Sequence, residues 1–352
     1  MPKTYNHLFE QIIRIENLYD AFHKAQRGRR KKPDVLAATY EREAFLHDLH
    51  ARLAAGTWRP EPYHTFLCKT EVKSRIIRAP TFHDRVVHHA ICNVLMPLFE
   101  QKFIFDSYAI TPGKGTHRAV RRVQQYLCET NAYVLQCDVH HYYESIHHAT
   151  LKRLLRRTIR DGRVLHLLDL LIDSYTSDET GEGIPIGAMT SQLFANLYLN
   201  ELDHFVKDEL DCKHYVRYMD DFLLFGEKTE LQALLGRIQP FLAKFHLELN
   251  DRTRLAPARH GVDFAGYRTF VTHIAMRKRN VKAARRRFRR YERLYAEWRA
   301  DVPDVTRRVV SFRGYACHAA SYRTLQSVLG SIHLVRHHSM KGEDLWQQNR
   351  RS

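Results

Sequence analysis

Apolar residues recur every three or four positions in residues 5–25, where Leu8, Phe9, Ile12, Ile13, Ile15 and Leu18 line one face; the period predicts an amphipathic helix. Gly28-Arg29-Arg30-Lys31-Lys32-Pro33 breaks it with a basic loop. The helical period resumes over 34–55 with Leu36, Tyr40, Phe45, Leu46, Leu49 and Leu53, until Gly56, Pro60 and Pro62 stop it. Residues 66–68 and 75–78 read as short strands around a basic turn, and 83–99 as a helix. An apolar strand at 133–138 precedes helices near 149–160 and 163–175, a loop at 181–187 containing Pro185, and a long helix over 191–210. Two short strands meeting at Met219-Asp220 follow, then a helix near 231–245, strand pieces at 255–256 and 262–267, and an all-helical tail. No repeat or low-complexity linker interrupts this order. The mixture predicts an α+β fold, with antiparallel strands and helices packed on them.

Composition narrows the class of partner. The 352 residues are 44% hydrophobic, enough for a substantial core in two or three lobes. A net charge of +17 points to a polyanion, nucleic acid or an anionic membrane surface. No apolar run approaches the roughly 18 residues that span a bilayer, and Met1-Pro2-Lys3-Thr4-Tyr5 lacks a signal-peptide pattern. The six cysteines are scattered without a Cys-x-x-Cys pair, which disfavours a zinc ribbon or a disulfide framework and fits a reducing cytoplasm. The 23 histidines include the adjacent pairs 88–89, 140–141, 147–148 and 337–338, whereas helical metal ligands sit three or four apart.

The chemistry concentrates at Tyr218-Met219-Asp220-Asp221, two adjacent carboxylates framed by strand-forming residues. A buried ionised carboxylate is costly unless paired or bound to a metal. Neither Asp has Lys or Arg as its immediate neighbour, so a divalent cation is the expected partner. Successive strand side chains point to opposite faces, and a turn is needed to bring both Asp residues to one place. An acidic hairpin tip in solvent is the plain alternative for this motif alone. A third carboxylate, Asp138, ends the strand Tyr133-Val134-Leu135-Gln136-Cys137-Asp138-Val139, with Tyr142 and Tyr143 just beyond. A strand-end Asp often only caps a turn. Delivered to one cluster, however, Asp138, Asp220 and Asp221 suit two Mg²⁺ ions roughly 4 Å apart.

With these residues in view the chain resembles reverse transcriptases of the bacterial retroelement type, over roughly residues 8–335. Lys73-Ser74-Arg75-Ile76-Ile77-Arg78-Ala79-Pro80 resembles the basic fingers motif, and Asp106-Ser107-Tyr108 through Gly113-Lys114-Gly115-Thr116 the next one. Residues 138–146 resemble the first palm carboxylate motif. Gly183-Ile184-Pro185-Ile186-Gly187 through Ser191-Gln192 resembles the template- and nucleotide-positioning loop. Tyr218-Met219-Asp220-Asp221 matches the metal hairpin, and Leu249-Asn250-Asp251-Arg252-Thr253 the following motif, with Arg252 where the family usually has Lys. Phe264-Ala265-Gly266-Tyr267 resembles the primer grip.

The resemblance implies a right-hand polymerase. Its fingers are expected at 1–130 and 148–185, an antiparallel palm at 131–147 and 186–276, and a helical basic thumb at 277–352. It implies metal binding by Asp138, Asp220, Asp221 and the backbone of Val139, with Mg²⁺ as cofactor and Mn²⁺ as a substitute. Lys73, Arg75, Ile186, Gly187, Gln192 and Arg252 are the expected nucleotide contacts, with Tyr143 as a steric gate against the 2′-hydroxyl that separates RNA from DNA. Arg suits bidentate phosphate contact, and Gly187, lacking a Cβ, is expected to let the backbone approach a nucleotide or template base. Tyr218, Met219, Gly266 and Tyr267 are expected against nucleic acid. In 278–293, nine of sixteen residues are Lys or Arg, and Lys282, Arg286 and Arg290 are expected to follow a duplex backbone without reading sequence.

Two departures narrow the resemblance. Many reverse transcriptases have Gln-Gly and Ser-Pro where this chain has Ile186-Gly187 and Ser191-Gln192. That pattern, followed by Phe194-Ala195-Asn196-Leu197-Tyr198-Leu199-Asn200, resembles the enzymes of diversity-generating retroelements, which copy a template-repeat RNA with errors opposite adenine. Exchanging Gln for Ile removes an amide and leaves a β-branched apolar wall. The implied partners are a structured template RNA, a primer–template duplex, deoxynucleotides and a small basic accessory protein, with no membrane. The tail predicts no ribonuclease H, integrase or Cys/His finger. Retron, group II intron-like and phage-defence polymerases are the neighbouring readings; an RNA-binding or maturase-like protein without catalysis is the reading from another class.

Overall fold

The computed structural model describes residues 3–69, 74–130, 132–175 and 181–336. Two compact units divide after Ala258.

The first unit opens with α1 (Phe9–Ile13) and α2 (Ile15–Ala25), then α3 (Pro33–Tyr40) and α4 (Arg42–Ala54). The sequence period reads each pair as one helix. The backbone instead breaks at Arg14 (ψ 132°) and at Glu41 (φ −102°, ψ 30°), because the paired helices wrap a common core rather than running straight. That core takes Ile12, Leu18, Phe22, Leu46 and Leu49. The hairpin β1 (His64–Lys69) and β2 (Ser74–Ala79) follows, then α5 (Phe82–Glu100), which packs against α2. Next come α6 (Thr116–Thr130), β3 (Tyr133–Asp138), α7 (His148–Arg156), α8 (Gly162–Asp173) and α9 (Met189–His204), whose last turn continues as a π-turn over Phe205–Glu209. The strands β4 (Tyr215–Tyr218) and β5 (Asp221–Gly226), α10 (Lys228–Ala243) and β6 (Arg254–Pro257) complete the unit. The helix α6 lies outside the elements the hydrophobic pattern predicts.

Four strands form one antiparallel sheet in the order β4-β5-β3-β6. Antiparallel partners present their side chains on a common face. Leu135, Cys137, Phe222, Leu224 and Tyr215 therefore share one face and enter the main core, where α10 packs on β3 and β5. Val134, Val216, Leu223 and Phe225 share the other face, covered by α6; Tyr126 lies 5.6 Å from the Phe225 ring. The same face continues to Gln136, Asp138, Asp221 and Tyr218, where the burial ends. The central α9 is buried on almost every side, including Asn196, Asn200 and Asp203. A helix enclosed all round must satisfy its polar groups internally.

In the second unit β7 (Val262–Phe264), β8 (Tyr267–Thr269) and β9 (Ile274–Met276) form a meander. The single strand expected at 262–267 is a hairpin, because Ala265 (φ 43°) and Gly266 (φ 93°) reverse the chain. Helices α11 (Lys278–Ala296), α12 (Val302–Ala316) and α13 (Tyr322–Leu329) enclose a core of Met276, Ala284, Phe288, Phe312, Ala316 and Val328. The expected primer-grip hairpin thus belongs to the same compact unit as the basic helices. Among the described residues no helix is long and apolar enough to cross a membrane.

Candidate active site

The sheet register brings the carboxylates together. Asp138, at the end of β3, is the direct partner of Asp221, the first residue of β5. The two side chains therefore stand on the same open face. Tyr218 also pairs with Asp221, which leaves Met219 and Asp220 as a two-residue loop. A loop this short needs positive φ to match the twist of its strands, and Met219 has φ 57°. Asp220 thus projects from the tip beside the Asp138–Asp221 pair, and its carbonyl accepts the Val139 N–H at 3.4 Å. Val139 is buried and its side chain carries no donor atom, so its backbone oxygen is the one group it could offer as a ligand. All three Asp residues are half-buried.

The segment leading into β6 is hung from the same strand end. Asn250 N–H donates to the Asp138 carbonyl at 2.7 Å, His140 N–H to the Glu248 carbonyl at 2.8 Å, and Val139 bridges Leu249. The Arg252 N–H is held by the Asn250 side chain at 3.1 Å, so exposed Arg252 sits on a turn anchored to Asp138.

Tyr143 is half-buried, and burial raises its hydroxyl pKa well above the usual value. The Asp220 charge pushes in the same direction and the Arg75 charge opposes it. The expected gate therefore stands within electrostatic reach of the hairpin tip on one side and of β2 on the other. Arg75 is exposed on β2. Lys73 lies outside the described residues. Tyr142, buried behind the gate, donates its hydroxyl to the Ala195 carbonyl of α9.

Two of the expected residues have partners within the fold. Gly187 is at φ 133°, and an added Cβ would lie 3.2 Å from the Arg78 carbonyl and 3.4 Å from Ile77 Cγ2. The β2 backbone thus makes a close approach of its own at this glycine, with Arg78 N–H bonded to the Ile186 carbonyl at 3.2 Å. Arg78 also lies over the Tyr175 ring and donates to its hydroxyl, tying β2 to the segment that follows α8. Tyr267 is 1% exposed, with its hydroxyl on the Tyr315 carbonyl at 2.9 Å, and it is a core residue rather than a nucleic-acid contact. Gly266 retains its turn: its carbonyl accepts from Tyr315 Oη at 2.7 Å and Asn280 Nδ2 at 3.1 Å. Gln192 and Ile186 are half-buried, and Tyr218 accepts a hydrogen bond from Thr116 at 3.2 Å. On α11, Lys282, Arg286 and Arg290 are exposed opposite buried Ala284 and Phe288.

Sequence reasoning missed Arg217, three residues before Asp220. It is fully buried and turned to the opposite face of the sheet, where it pairs with fully buried Asp203 of α9. An Arg framed by Tyr215, Val216 and Tyr218 in an apolar strand was the signal for a buried partner.

Among the described residues no group of three or more His, Cys, Asp or Glu side chains is arranged to hold a metal ion. The donor chemistry nonetheless fits Mg²⁺: every candidate is a hard oxygen, and Mg²⁺ takes one or two carboxylates from protein and completes its shell with water and substrate phosphates.

Similarity to known proteins follows this geometry. The profile of the family described as reverse transcriptase (RNA-dependent DNA polymerase) matches residues 67–268. Protein YkfC of Escherichia coli (strain K12) is 27% identical over 268 residues, covering 63% of this chain and 70% of YkfC. The group II intron-encoded protein LtrA of Lactococcus lactis subsp. cremoris is 25% identical over 217 residues, covering 58% of this chain and 36% of LtrA. The chain thus spans about a third of LtrA. A solved telomerase from Candida albicans shares 14% identity with a TM-score of 0.47, over 65% of this chain and 51% of that one.

Proposed function

The chain belongs to the reverse transcriptase family of RNA-directed DNA polymerases, and from that premise we propose that it copies a structured RNA template into cDNA by metal-assisted nucleotidyl transfer at Asp138, Asp220 and Asp221. The observation that carries the assignment of the site is the register: Asp138 faces Asp221 across two neighbouring strands, with Asp220 in the adjoining turn. Binding a polyanion needs no acidic cluster, so this arrangement favours catalysis over a purely RNA-binding role. Members of the family use divalent metal ions; when bound, such ions activate the primer hydroxyl and stabilise charge on the leaving phosphate oxygens.

The protein groups divide the remaining tasks. The three carboxylates hold the metal positions, aided by the Val139 carbonyl. Arg75 and Lys73 grip the triphosphate, and Arg252 adds a phosphate contact, since a guanidinium hardly deprotonates and is a poor acid. The Tyr143 ring occupies the space a 2′-hydroxyl would need. Ile186, with Gln192 nearby in sequence, walls the nascent base pair. Lys282, Arg286 and Arg290 follow the backbone of the primer–template duplex. In this reading residues 1–130 and 148–185 act as fingers, 131–147 and 186–276 as palm, and 277–352 as thumb.

The finer reading is an error-prone polymerase of a diversity-generating retroelement, working in the cytoplasm with a small basic accessory protein. Its support is the Ile186-Gly187 and Ser191-Gln192 pattern. The similarity to LtrA favours a second reading, a group II intron-type polymerase. Primer extension on a defined RNA template with Mg²⁺ and four deoxynucleotides, followed by cDNA sequencing, separates them. Errors concentrated opposite adenine, and reduced by Ile186→Gln, support the diversifying reading. Accurate cDNA, unchanged in the variant and with the accessory protein present, supports the group II type.

A further inference from the structure

The buried Arg217 makes more contacts than an ion pair requires. Its Nε and Nη2 engage both oxygens of Asp203, at 2.6 and 2.5 Å. Its Nη1 reaches Asn196 Oδ1 at 2.8 Å and the Met219 carbonyl at 3.0 Å. Tyr215 adds its hydroxyl to Asp203 at 2.7 Å. The Arg217 backbone is fixed as well: its N–H donates to the Asp106 carbonyl and its carbonyl accepts from Tyr108, both at 3.0 Å. The one contact outside this frame is to Met219, the residue with φ 57° immediately before Asp220.

A buried ion pair is weak evidence for stability, because desolvation offsets much of its attraction. This one does hold geometry. A non-glycine residue at positive φ persists only where its surroundings over-determine it. Here the guanidinium fork ties the carbonyl of the strained residue to α9, through Asp203 and Asn196. The same helix carries the Ala195 carbonyl that holds Tyr142 beside the expected gate, and it begins directly after the Ile186-Gly187 loop. One rigid helix thus references the hairpin tip, the gate and the positioning loop to each other.

Resting on the polymerase reading, we infer that Arg217 is a positioning residue for the metal site: by clamping the Met219 carbonyl to Asp203 and Asn196, it fixes where the Asp220 carboxylate stands. Lysine cannot replace it, since an ammonium is a point donor without a planar fork. Groups that orient metal ligands typically change metal affinity by about 10–100-fold when removed.

Two variants test this. Arg217→Lys keeps the charge opposite Asp203. Arg217→Met combined with Asp203→Leu removes both charges, a change that buried pairs often tolerate without loss of fold. Mn²⁺ binding is read by electron paramagnetic resonance on the full chain, with an RNA template and a dideoxy-terminated primer. Thermal unfolding, duplex affinity and the Mg²⁺ dependence of extension are measured beside it. The expected result is a folded protein with duplex affinity within about twofold of the parent and Mn²⁺ affinity and half-saturating Mg²⁺ worse by about tenfold or more. Mn²⁺ affinity unchanged in either folded variant overturns the inference. So does loss of metal affinity, duplex affinity and thermal stability together in both, which would mark Arg217 as a support of the fold alone. If the parent chain extends no primer, the polymerase reading fails, yet the Mn²⁺ titration still reports on the hairpin tip independently.

Discussion

Substituting Gly187 with Ala distinguishes two reasons for that glycine. The residue sits at φ 133°, a conformation essentially confined to glycine, and the new Cβ would approach the Arg78 carbonyl to 3.2 Å, Ile77 Cγ2 to 3.4 Å and the Ala79 Cα to 3.6 Å. Backbone strain of this kind costs about 1–3 kcal/mol. The contacts add to it because the nearest atom is strand backbone, which cannot rotate away. For a chain of this size the expected loss corresponds to roughly 2–6 °C in Tm. Gly115→Ala is the control: it has φ 101° but no atom within 4 Å of the added Cβ, so it carries strain without contact. Thermal unfolding of both variants without nucleotide, followed by KM for deoxynucleotides, makes the comparison. Gly187→Ala should be the less stable of the two, with KM raised because the Ile186 loop has shifted from β2. A Gly187→Ala protein as stable as the parent, with only KM affected, would refute this reasoning and return the glycine to close nucleotide approach.

Three further outcomes follow from the same structure. Tyr143→Ala should raise ribonucleotide incorporation relative to deoxynucleotide by roughly tenfold or more, measured by competing the two in primer extension; unchanged discrimination would remove the gate. Replacing Lys282, Arg286 and Arg290 with Gln should weaken duplex binding for all sequences alike and reduce the slope of log affinity against log salt by about 2–3. Asp84, buried at the start of α5, has its pKa pushed up by burial to about 6 from the ordinary 3.8. The folded state therefore holds a proton that the unfolded state has released between those values, and stability falls as pH rises from about 4 to 6, by on the order of 3 kcal/mol. Urea unfolding across that range should show the fall, and Asp84→Asn should flatten it.

Much of the site was legible because its physics is local. A short apolar run with a carboxylate at its end marks β3, and the paired Asp residues require the tight turn that the Tyr218–Asp221 register shows. Reasons that lie across the fold were harder to read. The apolar setting of Arg217 signals a buried partner, but nothing local says that the partner is Asp203 on α9, separated from it by a helix terminus and a loop. Gly187 carries the signal for close approach but not for what approaches. Tyr267 has the amphipathic character of a nucleic-acid contact and also of a core Tyr with one hydrogen bond, and only the packing of Tyr315 decides between them. The breaks at Arg14 and Glu41 leave the apolar period intact, so periodicity alone reads through them.

The central claim is that the carboxylates at the β3–β5 junction perform metal-assisted synthesis rather than support nucleic-acid binding. Its most direct test is Asp220→Asn, which preserves side-chain shape and removes the charge, measured for both extension of an RNA-templated primer and affinity for the same duplex. The account predicts extension reduced by at least roughly a hundredfold, with duplex affinity equal to or tighter than the parent's because a negative charge facing phosphate has been removed. Full synthesis in the variant, or synthesis and duplex binding lost in equal measure by a folded protein, would contradict it.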